Sequence, residues 1–266
     1  MEPLREEVVR LSDGARTTVQ QWGDSGPLVV GVHGLGSSRR GWARIAERLG
    51  ARYRVVAFDQ RGHGDSSVTG PMTLERSVED LRDVVASLGE PVHAVVGHSW
   101  GGAVVIAGGR RFGVARIVAI DPMLYVQPGV WSAQTLPEYR RQLAPPLEER
   151  EAAIRRSLAA LPDIEIEAKL HATRRLTIAP IEALGEENAI DAGRWDLREL
   201  VAGYPKPLLL ALADANRSVV SEAERDDFRA RGGEHVRVEV FAAAGHSLQR
   251  DAFDRVMPVV EVFLSG

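Results

Sequence analysis

The 266-residue sequence predicts an α/β fold built on a mostly parallel sheet and interrupted by one helical insertion. Three observations carry this. Short apolar runs alternate with longer amphipathic segments, the signature of strand–helix units joined by right-handed crossovers. The later apolar runs are continuous in Val, Leu, Ile and Ala, as in strands buried on both faces. The alternation then stops after Asp121-Pro122 and resumes only at "PKPLLLALAD".

In chain order, "EEVVRL" and "ARTTVQQW" flank the turn signal Ser12-Asp13-Gly14 and read as a hairpin. Six further strands follow at "PLVVGVH", "YRVVAFD", "PVHAVVG", "ARIVAID", "PLLLALA" and "VRVEVF". The segments between them have helical character: "SRRGWARIAERLG", "LERSVEDLRDVVASLG", "WGGAVVIAGGRRFG", "EAERDDFRARGG" and "DAFDRVMPVVEVFL". Residues 124–203 show no parallel-sheet strand. They carry apolar residues at helical spacing, and Pro145-Pro146 and Pro162 divide them into short helices. So few buried residues would not hold a separate domain together, so the segment reads as an insertion into a core of residues 1–123 and 204–266.

Composition excludes several functions. There are no cysteines, which removes disulfide frameworks, thiol nucleophiles and cysteine zinc sites. Net charge is −4, and the basic residues are nearly all dispersed arginines, with Lys169 and Lys206 the two lysines. No basic patch for nucleic acid is legible. The N-terminal stretch is charged and mixed in sign, unlike a secretory signal, and the apolar runs are too short to span a bilayer. The expectation is a cytoplasmic protein without membrane or nucleic-acid partners, whose oligomeric state is not legible.

The chemistry concentrates in "VVGHSWGG", where Ser99 stands between an apolar strand and a helix in the pattern G-x-S-x-G. That pattern describes a sharp turn that lifts a serine hydroxyl clear of the sheet edge. Gly97 and Gly101 remove Cβ atoms that would collide where strand and helix cross. A serine needs a base, and of seven histidines His246 stands in a loop after the last strand, free to reach back over Ser99. Donors for an oxyanion are expected from the backbone N–H of Trp100 and, in the glycine-relieved loop "GVHGLGSS", from that of Leu35. His33 reads as bracing that loop. Asp59, Arg61 and His63 in "FDQRGHGDSS" resemble a metal or phosphate site, but the stretch reads as a glycine turn after a strand, with Asp59 and Arg61 tying the loop.

HGLGSS, DQRGHGDS, GHSWGG and AGHS, in this order and spacing, resemble the α/β-hydrolase superfamily. The resemblance implies an eight-stranded sheet and a helical cap over residues 124–203. It also implies Ser99 as nucleophile, His246 as base, Leu35 and Trp100 as oxyanion donors, and neither cofactor nor metal. One departure concerns the acid. The family's usual position after the seventh strand aligns with Asn216, and Asp214 falls two residues early. A subset of the family places the acid after the sixth strand, where Asp121 stands. Asp121 is therefore the expected acid, with Asp214 the alternative.

These residues point to a serine hydrolase, carboxylesterase-like, cleaving an ester or related acyl bond of a small substrate. The same fold also serves carbon–carbon bond hydrolases and cofactor-free dioxygenases. A ligand-sensing receptor with a vestigial triad is the reading from a different class. Trp131, Tyr139 and Trp195 are candidates for the pocket lining or for its packing.

Overall fold

A computed structural model describes residues 3–266. Eight strands among them form one sheet: β1 (Arg5–Arg10), β2 (Arg16–Trp22), β3 (Leu28–Val32), β4 (Arg54–Phe58), β5 (Val92–His98), β6 (Arg116–Ile120), β7 (Leu208–Leu212) and β8 (Val236–Val240). Their spatial order is β1-β2-β4-β3-β5-β6-β7-β8. The β1–β2 and β2–β4 pairs are antiparallel and all others are parallel. Strands β3 and β7 are buried at every residue, which is why they read as unbroken apolar runs.

β8 departs from that reading. It is the edge strand, no residue of it is fully buried, and its Val-Arg-Val-Glu-Val alternation reflects one solvated face.

Around the core strands lie α1 (Ala43–Leu49), α2 (Leu74–Ser87) and α3 (Trp100–Gly109). The inserted helices are α4 (Leu136–Leu143), α5 (Leu147–Ser157), α6 (Asp163–Arg175), α7 (Ala179–Glu187) and α8 (Arg198–Val201). After β7 come α9 (Glu222–Arg231), α10 (Leu248–Asp251) and α11 (Phe253–Ser265). The sheet divides the buried side chains into two layers. One joins Val30, Val56 and Val95 to residues of α2 and α3, and the other joins Val29, Val55 and Val96 to α1 and α11. Strict alternation of side chains across each strand produces this division.

The loop after β4 is anchored by buried ion pairs. Arg39, 1% exposed, donates its backbone N–H to Asp59 at 2.7 Å, and its guanidinium bonds Asp59, Asp65 and Glu6. Arg61 grips Asp80 through two hydrogen bonds at 3.0 and 2.9 Å. Asp59 and Arg61 of the "DQRGHGDSS" motif thus tie loops, Asp59 both to Arg39 and, within the motif, to the Asp65 N–H at 2.8 Å, and Arg61 to Asp80 outside it. A buried ion pair broken on one side leaves an uncompensated charge, so Arg39→Met should lower the unfolding free energy by about 3–5 kcal/mol. Urea denaturation measures this.

Candidate active site

The turn from β5 into α3 puts Ser99 at φ 54°, a left-handed conformation that costs a serine energy and turns its side chain away from both elements. The crossing is tight. A Cβ on Gly97 would stand 2.1 Å from the Gly101 carbonyl oxygen, and one on Gly101 would stand 2.1 Å from that of Val32. Neither position has room for any side chain. The turn is pinned by Ser99 N–H donating to the Ile120 carbonyl at 3.0 Å and by Met123 N–H donating to the Ser99 carbonyl at 3.0 Å.

The loop after β8 brings His246 to the same edge of the sheet. Its Nδ1–H donates to Asp121 Oδ2 at 2.6 Å. Asp121 follows β6, the neighbour of β5, and is fully buried. Three more donors reach its carboxylate: Ala213 N–H at 3.2 Å, Val219 N–H at 3.2 Å and the Ser218 hydroxyl. Burial alone would push its pKa up, but the hydrogen bonds from His246, Ser218 and Ala213 hold it below the usual carboxylate range. The group is an ionised acceptor that fixes the His246 tautomer, leaving Nε2 without the ring proton.

Asp214 is not brought to His246. Its carboxylate accepts the N–H of Ala243 at 2.8 Å and of Asn216 at 3.2 Å, and those bonds keep its pKa below the usual range. It braces the loop that carries His246 instead. Asn216 is exposed on the same turn.

Leu35 lines the cleft above Ser99, and Trp100 is the first residue of α3. A first-turn N–H has no intrahelical acceptor, so that of Trp100 is free of the helix ladder. The Trp100 ring stacks on Trp195 at 5.1 Å, and the Trp195 indole donates to the Met123 carbonyl at 3.1 Å. Trp195 therefore packs beneath the site, whereas Trp131 and Tyr139 line it. The cleft has a volume of about 850 Å³ and lies between the sheet edge and the inserted helices.

Several contributors carry no sequence signal of their role. His98, which sequence reading leaves at a strand end, donates Nε2–H to the His246 carbonyl at 3.0 Å, with the two rings 4.8 Å apart. Burial, reinforced by His246, pushes its pKa down to about 3, so it is a neutral prop for the loop. Ser218, in the loop after β7, is the second side-chain donor to Asp121. His33 donates Nδ1–H to the Gly34 carbonyl at 2.8 Å and accepts from Gln60 N–H at 3.0 Å, bracing its loop as a neutral ring. Among the described residues, no three His, Asp or Glu side chains gather in a way that could hold a metal ion. No helix among them is long and apolar enough to cross a membrane.

Comparison with known proteins agrees with this architecture. A family model described as "Alpha/beta hydrolase family" matches residues 29–259. The chain belongs to the alpha/beta hydrolase family. It is 30% identical over 219 residues to the magnesium-chelatase 30 kDa subunit of Rhodobacter capsulatus, covering 77% of this chain and 76% of that protein. It is 38% identical over 107 residues to the lipase LipV of Mycobacterium tuberculosis, covering 39% of this chain and 41% of LipV. The crystal structure of E-2-(acetamidomethylene)succinate hydrolase superposes with a TM-score of 0.81 at 20% identity, covering 98% of this chain and 99% of that one. At that identity the likeness is one of fold, and it includes the inserted helices of this alpha/beta hydrolase.

The two carboxylates make a direct comparison. On the triad reading proposed below, Asp121→Asn should lower kcat by about three to four orders of magnitude, since an amide cannot hold the imidazole tautomer or stabilise an imidazolium. Asp214→Asn should change kcat by less than about tenfold. Circular dichroism confirms that each variant is folded, and steady-state kinetics on one ester measures the ranking.

Proposed function

We propose that this alpha/beta hydrolase is a serine hydrolase that cleaves an ester or related acyl bond of a small substrate. The observation that carries the reading is the His246–Asp121 hydrogen bond at 2.6 Å, beside a strained serine on the floor of one cleft. The similarity to a protein named as a lipase supports acyl chemistry for the same fold.

In this reading Ser99 Oγ attacks the substrate carbonyl carbon while His246 Nε2 takes the hydroxyl proton. Asp121 keeps the ring oriented and offsets the positive charge that forms on it. The backbone N–H groups of Leu35 and Trp100 hold the oxyanion, and the helix N-terminus adds a favourable dipole. Collapse of the tetrahedral adduct breaks the bond to the leaving alcohol, which receives the proton from His246. Water, deprotonated by the same ring, then releases the acid from the acyl-enzyme and regenerates Ser99. No step calls for a cofactor.

The test is covalent. A fluorophosphonate should modify Ser99 and no other residue, and Ser99→Ala should abolish both labelling and turnover of short p-nitrophenyl esters. Mass spectrometry locates the adduct. Labelling that survives Ser99→Ala, or a folded wild-type protein that neither labels nor turns over, would overturn the proposal. The second of those outcomes would favour the receptor reading.

A further inference from the structure

The cleft holds two fixed cations, and they are not equivalent. Arg198 is neutralised: its Nε donates to Asp196 at 2.8 Å, Glu224 stands 3.7 Å away, and the guanidinium lies over the Tyr125 ring. Lys169, on α6, has no carboxylate partner among the described residues. Its Nζ donates one hydrogen bond, at 3.1 Å, to the Gly36 carbonyl. An ammonium has three donors, so two remain for whatever enters the cleft. The neighbouring lining side chains, Tyr139 and Gln142, are uncharged, the Tyr139 phenol being pushed up to about 12 by burial.

Position adds to this. Gly36 follows Leu35 directly, has φ 65°, and is covered by Tyr139 and Leu176 from the inserted helices. The Lys169 ammonium therefore stands one residue along the chain from a proposed oxyanion donor. By backbone dimensions it lies within roughly 9 Å of that N–H, close enough for a short acyl chain to place its carbonyl at one and an anionic group at the other. Lys169 also lines a second cavity, of about 600 Å³, among α4, α5 and α6, so it stands where the two spaces adjoin.

We infer that Lys169 binds a carboxylate of the substrate, so that the preferred substrates are monoesters or related acyl compounds of short dicarboxylic acids. The inference rests on the acyl-hydrolysis reading of the cleft. An ammonium drawn partly out of water without a counter-ion is costly, and a carboxylate on the substrate supplies the counter-ion. Burial pulls the Lys169 pKa down to about 8, which leaves the group mainly charged at neutral pH. A single point charge matches a monoanion. It also gives the inserted helices a part in selecting substrate, through α6, besides enclosing the cleft.

The experiment compares monoethyl glutarate with ethyl pentanoate, which match in acyl length and differ in the carboxylate. In the wild-type protein kcat/KM should favour the acid. Lys169→Met, which keeps the length of the side chain, should lower the acid-to-neutral ratio of kcat/KM by tenfold or more, mainly through KM. A ratio that does not change, whether or not both substrates slow together, would make Lys169 only a clamp on Gly36 and would overturn the inference. So would a wild-type preference for the neutral ester. Calorimetry provides a readout without turnover: Ser99→Ala should bind monoethyl glutarate at least tenfold more tightly than the Ser99→Ala, Lys169→Met double variant, and equal affinities would overturn the inference. Because binding needs no nucleophile, failure of Ser99 to label would remove the hydrolase reading and leave the anion result standing. Labelling of Ser99 together with equal affinities would remove the anion site alone.

Discussion

A carboxylate taken out of water costs several kcal/mol unless donors replace the lost hydration, and Asp121 is fully buried with four donors around it. None of the four lies on β6, the strand that carries the acid. Ala213, Ser218 and Val219 belong to the chain after β7, and His246 to the loop after β8. One charge at the end of β6 thus gathers donors from two loops, those after β7 and β8. The demand for donors fixes where those loops run, and the imidazole is aimed as part of meeting it. Asp214 completes the arrangement from outside by accepting Ala243 N–H, which ties the second loop to the first.

The residues proposed as nucleophile and acid also share a backbone constraint. Ser99 and Asp121 both have positive φ, 54° and 41°, at the ends of adjacent parallel strands. Each such residue costs about 1–3 kcal/mol and persists only where its surroundings over-determine it. Here the surroundings are a short ladder: Ser99 N–H to Ile120 O, Met123 N–H to Ser99 O, and Asp121 N–H to Ala211 O at 2.8 Å. The two strained turns are held by bonds running between them and to β7. The geometry of the site is therefore a property of sheet register more than of loop packing.

That dependence on register explains what was legible in the sequence. The interior strands are buried on both faces, so hydrophobic runs alone located them, and the order of elements put residue 99 and residue 121 at neighbouring strand ends. Asn at position 216 weighed toward Asp121 but left Asp214 as an alternative, because a two-residue shift of that loop is not legible in a sequence. The edge strand β8 was located too, but grouping it with the continuous apolar runs misjudged its burial, because its Val-Arg-Val-Glu-Val alternation already marks a solvated face. Ser218, His98 and Lys169 were not legible as contributors. Each is placed by a hydrogen bond to a residue 97 to 148 positions away in sequence. Such contacts are made by tertiary packing, to which neither periodicity nor local motif responds. The π-helical turn at Trp131–Thr135 and the kinked turn at Ile190–Arg194, with Gly193 at φ 73°, were not legible either.

The crowd of histidines at this sheet edge raises a problem of identity, because a general base must be distinguishable from its neighbours by environment. His33 and His98 are buried with pKa values pushed down to about 3; both ring nitrogens of His33 bond backbone groups, and His98 commits Nε2 to the His246 carbonyl. His63 is likewise buried, lowered in pKa, and bonded to the Arg61 carbonyl. His171 does meet a carboxylate, Asp65, at 3.2 Å, but that carboxylate is already held by Arg39 and Arg175, and His171 is not part of the cleft wall. Among the described residues, His246 alone combines a carboxylate on Nδ1 with a place in the cleft lining beside Ser99. Burial silences the neighbouring imidazoles, and the same buried environment gives the Asp121 charge its strength. In the proposed reading, the low dielectric of the sheet edge thus leaves one imidazole to serve as base and orients it.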